Sequence, residues 1–246
     1  MDIQISHLIL IALITLCASF IQSVTGFGFG IFAMMFLPYF LIFTEANILS
    51  SILGAFTSIC VVITMLKQVH WRNIIFPLIG SFTGTFLAVN FIKSQSNATL
   101  TLLLGIVLFV LSIYFLFFSS KIHIKITWYT GLIAGLLSGI MNGMFAMGGP
   151  PAVIYYMQSE KDSDKYIATL SAYFVISNVY SITVKALSGF ITTNVCIGLI
   201  TGFAGMLCGA LIGKAVFKRM NAQMIKKAVY GFMALSGIAN VVTSLI

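Results

Sequence analysis

The chain has 246 residues, of which 60% are hydrophobic and only 7% carry a charged side chain. A soluble domain of this length would have roughly 25% charged residues, so the composition excludes a soluble protein and leaves no room for a separate soluble domain. The formal net charge is +8. Because basic loops on one face of a membrane account for such an excess, we expect no nucleic-acid partner.

Long apolar segments follow one another along the chain, separated by short polar connectors. They lie at 7–24, 29–43, 47–66, 74–92, 99–119, 128–141, 145–157, 166–187, 194–216 and 224–245. A helix needs about 20 apolar residues to cross a bilayer, and most segments approach or reach this length. The sequence therefore predicts an all-α polytopic membrane protein, with the lipid bilayer as a partner. Its first residues lack the basic region of a cleavable signal peptide, so we expect the first segment to be retained.

Two of the apolar stretches are broken by clusters of glycine, at residues 25–30 and 142–151. Glycine is costly to order in a helix, and the prolines of the second cluster remove backbone donors. Inside lipid, an unpaired backbone amide costs several kcal/mol, so such breaks persist only where protein or a water-filled cavity covers them. Two breaks at matching places in the chain indicate a binding site.

The two halves of the chain carry glycines at matching positions, which is typical of the internal repeats of transporters. We therefore predict a single integral membrane domain, with a first repeat over 1–120 and a second over 121–246. The alternative is that glycine is common in membrane helices and the matches arise by chance. The matches are Gly26 with Gly143, 117 residues on; Gly80 and Gly84 with Gly205 and Gly209, 125 residues on; and Gly105 with Gly231, 126 residues on.

The positions of Lys and Arg predict how the segments cross the membrane, because cytoplasmic loops are enriched in these residues. If each broken stretch enters and returns on the same side, eleven of them share one face and only Lys93 and Lys185 are left over. If each broken stretch crosses once, the two faces carry similar numbers. The basic connectors of the first arrangement are 67–73, 120–127, 158–165 and 214–227.

The first arrangement is favoured, and it has a consequence for the fold. Each half becomes a broken, re-entrant helical hairpin plus three transmembrane helices, about eight helical units in all. An odd number of crossings per half makes the two repeats inverted. Both termini are then expected on the non-cytoplasmic side.

Helix ends at the breaks expose backbone amides, which form an anion site together with the positive end of the helix dipole. Nearby side-chain amides and hydroxyls would add donors. On segment 166–187, Asn178 and Lys185 share one polar face; Lys185 either serves the site as an intramembrane charge or reaches the lipid headgroups from the helix end. The predicted substrate-binding residues are Gln22, Ser23, Thr25, Gly26, Gly28 and Gly30 at the first break, Ser138, Asn142, Gly143, Gly148, Gly149 and Pro150 at the second, and Asn178 and Lys185.

The sequence contains no pattern for metal binding or catalysis. Its four cysteines form no CxxC pair, and its three histidines lie near segment ends or in connectors, without metal-ligand spacing. No segment holds an acid–base pair or a nucleophile with its base. We therefore predict no metal, no cofactor and no enzymatic activity.

The residues around both breaks resemble the TauE/SafE family of membrane transporters, known for sulfite and organosulfonate export. The likeness is carried by residues 22–30, 139–151 and 231–237, and it extends over nearly the whole chain in length, duplication and segment order. This resemblance implies transport of a small, often sulfur-containing, anion across the plasma membrane.

We therefore expect a secondary transporter for sulfite, an organosulfonate or a related anion, working by alternating access. Inverted duplication favours a carrier over a simple pore. The alternatives are an anion channel with the hairpins as its filter, transport of another small anion or a carboxylate, and a non-catalytic membrane assembly partner. The sequence does not determine the oligomeric state, and a homo-oligomer is one of the alternatives.

Overall fold

The computed structural model describes residues 5–117, 124–216 and 222–245. Its helices are α1 (Ile5–Thr25), α2 (Phe29–Phe36), α3 (Phe43–Met65), α4 (Trp71–Ile92), α5 (Asn97–Phe117), α6 (Trp128–Phe145), α7 (Gly149–Ser159), α8 (Ser163–Leu187), α9 (Thr193–Val216) and α10 (Ala222–Leu245), with 3-10 turns at Leu37–Tyr39 and Leu66–Gln68. No strand occurs within these ranges. Six of the described helices, α1, α3, α4, α5, α8 and α9, are long and apolar enough to cross a membrane. The predicted all-α polytopic membrane fold is confirmed.

Both predicted helix breaks are present. α1 gives way to α2 at residues 26–28, where Gly26 (φ 83°) and Gly28 (φ 109°) adopt backbone conformations that glycine reaches without a steric penalty. α6 gives way to α7 at residues 146–148, where Ala146 has a positive φ of 54°. The chain therefore turns sharply at both glycine clusters.

The two breaks correspond at an offset of 120 residues, not at the 117 predicted from the sequence. The amide of Gly26 donates to the carbonyl oxygen of Gln22 (2.8 Å), and the amide of Ala146 donates in the same way to Asn142 (3.0 Å). Gly26 is thus equivalent to Ala146 rather than to Gly143. The sequence match failed because the second break uses alanine, not glycine, at its left-handed position.

Close contacts through glycine fix the directions of the helices. A Cβ atom on Gly205 would lie 2.1 Å from the carbonyl oxygen of Ala12, and Gly209 makes the same contact one turn further along α1. α1 and α9 therefore run parallel, with their backbones touching. Gly80 and Gly84 repeat this arrangement against α6, at the predicted offset of 125. Small residues permit such close approach in membranes.

The helices α5 and α10 cross at a glycine pair that the sequence match did not identify. A Cβ atom on either Gly105 or Gly237 would lie 2.8 Å from the carbonyl oxygen of the other, whereas one on Gly231 would meet nothing within 4 Å. The match of Gly105 with Gly231 as equivalent positions of two repeats stays a prediction. Phe115 stacks on Tyr230 at 4.7 Å, so α5 and α10 run antiparallel.

α1 and α3 point in the same direction. Gly198 and Gly202 of α9 face Leu49 and Leu53 of α3 in the same order, which makes α3 parallel to α9 and hence to α1. The chain must return between α1 and α3, and α2 lies on this return path. The first half therefore begins with the predicted hairpin.

The corresponding helices of the second half, α6 and α8, run opposite to α1 and α3. The amide of His70, just after α3, donates to Thr169 near the start of α8, and the hydroxyls of Ser81 and Ser177 lie 2.6 Å apart. α4 is thus parallel to α8 as well as to α6, while α3 ends where α8 begins. Opposite directions in the two halves are what inverted repeats require. The division at 120/121 lies outside the described residues and stays a prediction.

Candidate functional site

The two helix breaks meet in the interior of the bundle. A Cβ atom on Gly30, in the first turn of α2, would lie 1.8 Å from the carbonyl oxygen of Ala146. A Cβ atom on Gly149, at the start of α7, would lie 3.2 Å from the ring of Phe27. Each half-helix therefore begins against the break of the other half.

A small cavity lies at this meeting point. Eight of the predicted site residues line it: Gln22, Gly28, Gly30, Ser138, Asn142, Gly148, Gly149 and Asn178. Among the described residues, no group of three or more His, Cys, Asp or Glu side chains is placed to hold a metal ion.

The other six predicted residues do not line the cavity. Thr25 instead donates to the carbonyl oxygens of Ile21 (2.9 Å) and Phe27 (2.5 Å) and so stabilises the turn of the first break. Gly26 adopts a backbone conformation with positive φ at this turn. Ser23 packs against α9, and Gly143 packs against α4. Lys185 lies behind the cavity wall. Pro150 is also absent from the lining and has no backbone N–H to donate.

Serine residues of α3 and α8 complete the walls, and they are not among the site residues predicted from the sequence. Gln22 Nε2 donates to Ser58 Oγ (3.1 Å). The hydroxyl of Ser50 lines the cavity, is fully buried and has no hydrogen-bond partner. Ser51 and Ser177 line it as well. The sequence feature that could have identified these residues is the recurrence of hydroxyl side chains along otherwise apolar segments.

Four cavity residues form two equivalent pairs. At the offset of 120 residues set by the breaks, Gln22 corresponds to Asn142 and Ser58 corresponds to Asn178, and all four line the cavity. Both halves of the bundle thus contribute an amide from the helix before the break and a polar group from the following long helix.

The starts of the two half-helices differ in the donors that they offer. The first turn of a helix leaves N–H groups without partners in the helix, and Phe29, Gly30 and Ile31 of α2 line the cavity behind Gly28, which provides no side-chain cap. In α7 the second and third positions are Pro150 and Pro151, which have no N–H. α2 is therefore the better anion-binding end.

Lys185 is fully buried next to the second break. Its Nζ donates to Ser51 Oγ (2.7 Å) and to the carbonyl oxygen of Asn142 (3.0 Å), and both partners line the cavity. The ammonium therefore lies inside the bundle and does not reach the lipid headgroups. Asn47 holds the same break, because its Nδ2 donates to the carbonyl oxygen of Met144 (2.6 Å).

A buried carboxylate follows each half-helix. Glu45, in the first turn of α3 and 3% exposed, accepts hydrogen bonds from the side chains of Thr192 (2.6 Å) and Asn194 (3.3 Å). These partners belong to the connector and the first turn that lead from α8 into α9. Glu45 thereby ties the first hairpin to the second half.

Glu160, which follows α7 and is 6% exposed, makes the reciprocal connection. His70 Nδ1 lies 3.0 Å from both oxygens of its carboxylate, and Asn73 Nδ2 donates to Oε1 (2.6 Å). Because Glu45 is at the start of α3 and His70 follows its end, these two carboxylate clamps lie at opposite ends of the bundle.

Comparison with known proteins identifies the family of this chain. Residues 11–240 match the family model described as "Sulfite exporter TauE/SafE". Over 222 residues the chain is 23% identical to the Cupriavidus necator protein named "Probable sulfite/organosulfonate exporter TauE", covering 87% of this chain and 86% of that protein. No solved structure matches significantly. Since the family model covers nearly the whole chain, this protein belongs to the TauE/SafE sulfite exporter family.

Proposed function

We propose that this protein is a secondary carrier of the plasma membrane that moves sulfite, an organosulfonate or a related small anion by alternating access. The observation that carries the proposal is the cavity where the two broken helices meet. Amides and hydroxyls line it and, among the described residues, no acidic side chain does. Such a site offers hydrogen bonds to an oxyanion and does not repel its charge. The family and the relative's name support the substrate class.

The donors for the anion come from both backbone and side chains. Residues of the first turn of α2 line the cavity, and this turn carries amides without helical partners and the positive end of the helix dipole. Ser50 adds a buried hydroxyl without a protein partner, and leaving such a group unsatisfied costs free energy. A bound oxyanion would accept hydrogen bonds from these groups.

Alternating access is favoured over a channel by the two carboxylate clamps and by the opposed directions of the helices. A carrier of inverted repeats exposes its central site first to one side and then to the other by rocking one part against the other. The Glu45 clamp and the Glu160 clamp connect the halves at opposite ends, so opening one end requires only one of them to break. A channel would need no such pair.

The orientation follows from the basic connectors. His70 and Glu160 bring 67–73 and 158–165 together on one face, and both connectors carry Lys or Arg. The positive-inside rule supports a cytoplasmic location of this face, and we propose that both termini lie on the other side.

Counterflow of labelled sulfite in proteoliposomes tests the proposal. In vesicles preloaded with unlabelled sulfite, a carrier gives a transient accumulation of label above equilibrium, whereas a channel lets the label only equilibrate. We expect Asn142→Ala to lower the flux about tenfold or more, because a hydrogen bond to a charged group is lost. Gly231→Ala, in open space on α10, serves as the matched control. Folded wild-type protein that moved neither sulfite nor methanesulfonate would refute the proposal.

A further inference from the structure

The charge of Lys185 has no counter-ion within the described part of the chain. An ammonium group has three donors, and the two bonds of Lys185 go to the neutral oxygens of Ser51 and Asn142. Among the described residues, the basic side chain that lies within 4 Å of a carboxylate is His70, next to Glu160. A buried charge without a partner is strongly unfavourable, so a ligand that brings a negative charge would stabilise the protonated amine of Lys185.

The described acidic side chains are placed elsewhere. Glu160 and Asp162 precede α8 and Asp164 lies in its first turn, whereas Lys185 is near its end, roughly 33 Å away along the helix. Glu45 is on the same end of the bundle as Lys185, but its carboxylate accepts from Thr192 and from other donors of its clamp. The cavity wall itself contains no charged side chain.

The helix ends around the cavity add little net charge. The starts of α2 and α7 each carry about half a positive charge. The same breaks also hold the C-terminal ends of α1 and α6, whose partial charge has the opposite sign. When protonated, Lys185 therefore contributes a larger charge next to the cavity than any of these helix ends does.

We infer that the cavity binds a monovalent oxyanion, such as a sulfonate or hydrogen sulfite, in preference to a dianion of the same shape. The inference rests on the function proposed above and narrows its substrate class. One negative charge neutralises Lys185 through the thin wall formed by Ser51 and Asn142. A second negative charge would remain uncompensated in a site of low dielectric constant, where it is costly.

Methanesulfonate and sulfate form a matched pair of probes, since both are small and tetrahedral but differ by one charge. Isothermal titration calorimetry on the purified full chain should show methanesulfonate binding at least about tenfold more tightly than sulfate. Lys185→Met should lose this binding and the preference together. Asn178→Lys, which adds a second cation to the cavity wall, should shift the preference toward sulfate.

Equal affinity for the two anions, or tighter binding of sulfate by the wild type, would overturn the inference. If Lys185→Met does not fold, the ratio of the wild-type affinities for methanesulfonate and sulfate still tests the inference. The affinities of the Asn178→Lys variant provide a second test. The titration needs no transport, so its outcome is separable from that of the flux assay. If the protein prefers methanesulfonate but shows no counterflow, the proposed carrier function is wrong and the preference for a monovalent anion is retained. If it shows counterflow but no preference, the carrier function is retained and the preference is wrong.

Discussion

Replacing Gly30 by alanine tests whether the two helix breaks hold each other in place. The added Cβ atom would lie 1.8 Å from the carbonyl oxygen of Ala146 and 2.8 Å from its carbonyl carbon. Ordinary contact needs about 3.5 Å, so the two breaks would have to separate by roughly 1.5 Å. Both contacting groups are backbone, and neither can rotate away as a flexible side chain would.

The expected loss of stability is at the upper end of the range for an overpacked interior, about 3 kcal/mol. For a chain of this length that corresponds to a decrease in Tm of roughly 6–12 °C. Thermal unfolding of the purified protein in detergent measures the decrease. Sulfite flux in proteoliposomes should fall with it, since the cavity lies between the breaks.

Gly231→Ala is the control for this prediction. Gly231 also lies in a helix, but a Cβ atom there would meet nothing within 4 Å, so alanine should stabilise α10 by about 1 kcal/mol or less. If both variants had the same Tm and the same flux, the close approach of the two breaks would be wrong.

Three further changes test the clamps, the helix contacts and the topology. Glu160→Ala removes the acceptor of the partly exposed side chains of His70 and Asn73 and should cost about 0.5–1.5 kcal/mol, with Glu45→Ala costing a similar amount in the same thermal assay. Gly209→Leu should abolish folded protein in size-exclusion chromatography, since even a Cβ atom there would lie 2.1 Å from a backbone oxygen of α1. In a cysteine-free background, Ser96→Cys and Lys161→Cys should be labelled by a membrane-impermeant maleimide from opposite sides, because they lie at opposite ends of the bundle.

Each of these tests has a contrary outcome. An unchanged Tm for both carboxylate variants would mean that the clamps do not contribute to stability. A folded Gly209→Leu protein would contradict the backbone contact between α1 and α9. Labelling of positions 96 and 161 from the same side would contradict the inverted arrangement of the two halves.

The sequence was sufficient to locate the two helix breaks and much of the cavity. Breaks in apolar stretches are visible because a glycine cluster opposes the strong tendency of the flanking residues to form helix in lipid. Polar residues close to a break, such as Gln22 and Asn142, have nowhere else to place their amides. Their position in the cavity could therefore be predicted without any knowledge of the fold.

The register of the two halves could not be predicted in the same way. Glycine permits a left-handed turn but does not mark it uniquely, and Ala146 adopts this conformation in the second break. The pairing of Gly105 with Gly237 depends on where α5 and α10 cross. A crossing point is a property of two packed helices, so the sequence of either helix alone does not reveal it.

By itself the sequence determined that this is a membrane protein of broken helices with its basic residues concentrated in a few connectors, because composition and hydrophobic length act on each segment independently. Only the tertiary structure decided the position of Lys185. Two residues from the end of α8, its side chain could have reached the headgroups or the interior with equal ease. The packing of α3 and α6 around it buries the ammonium against Ser51 and the carbonyl group of Asn142.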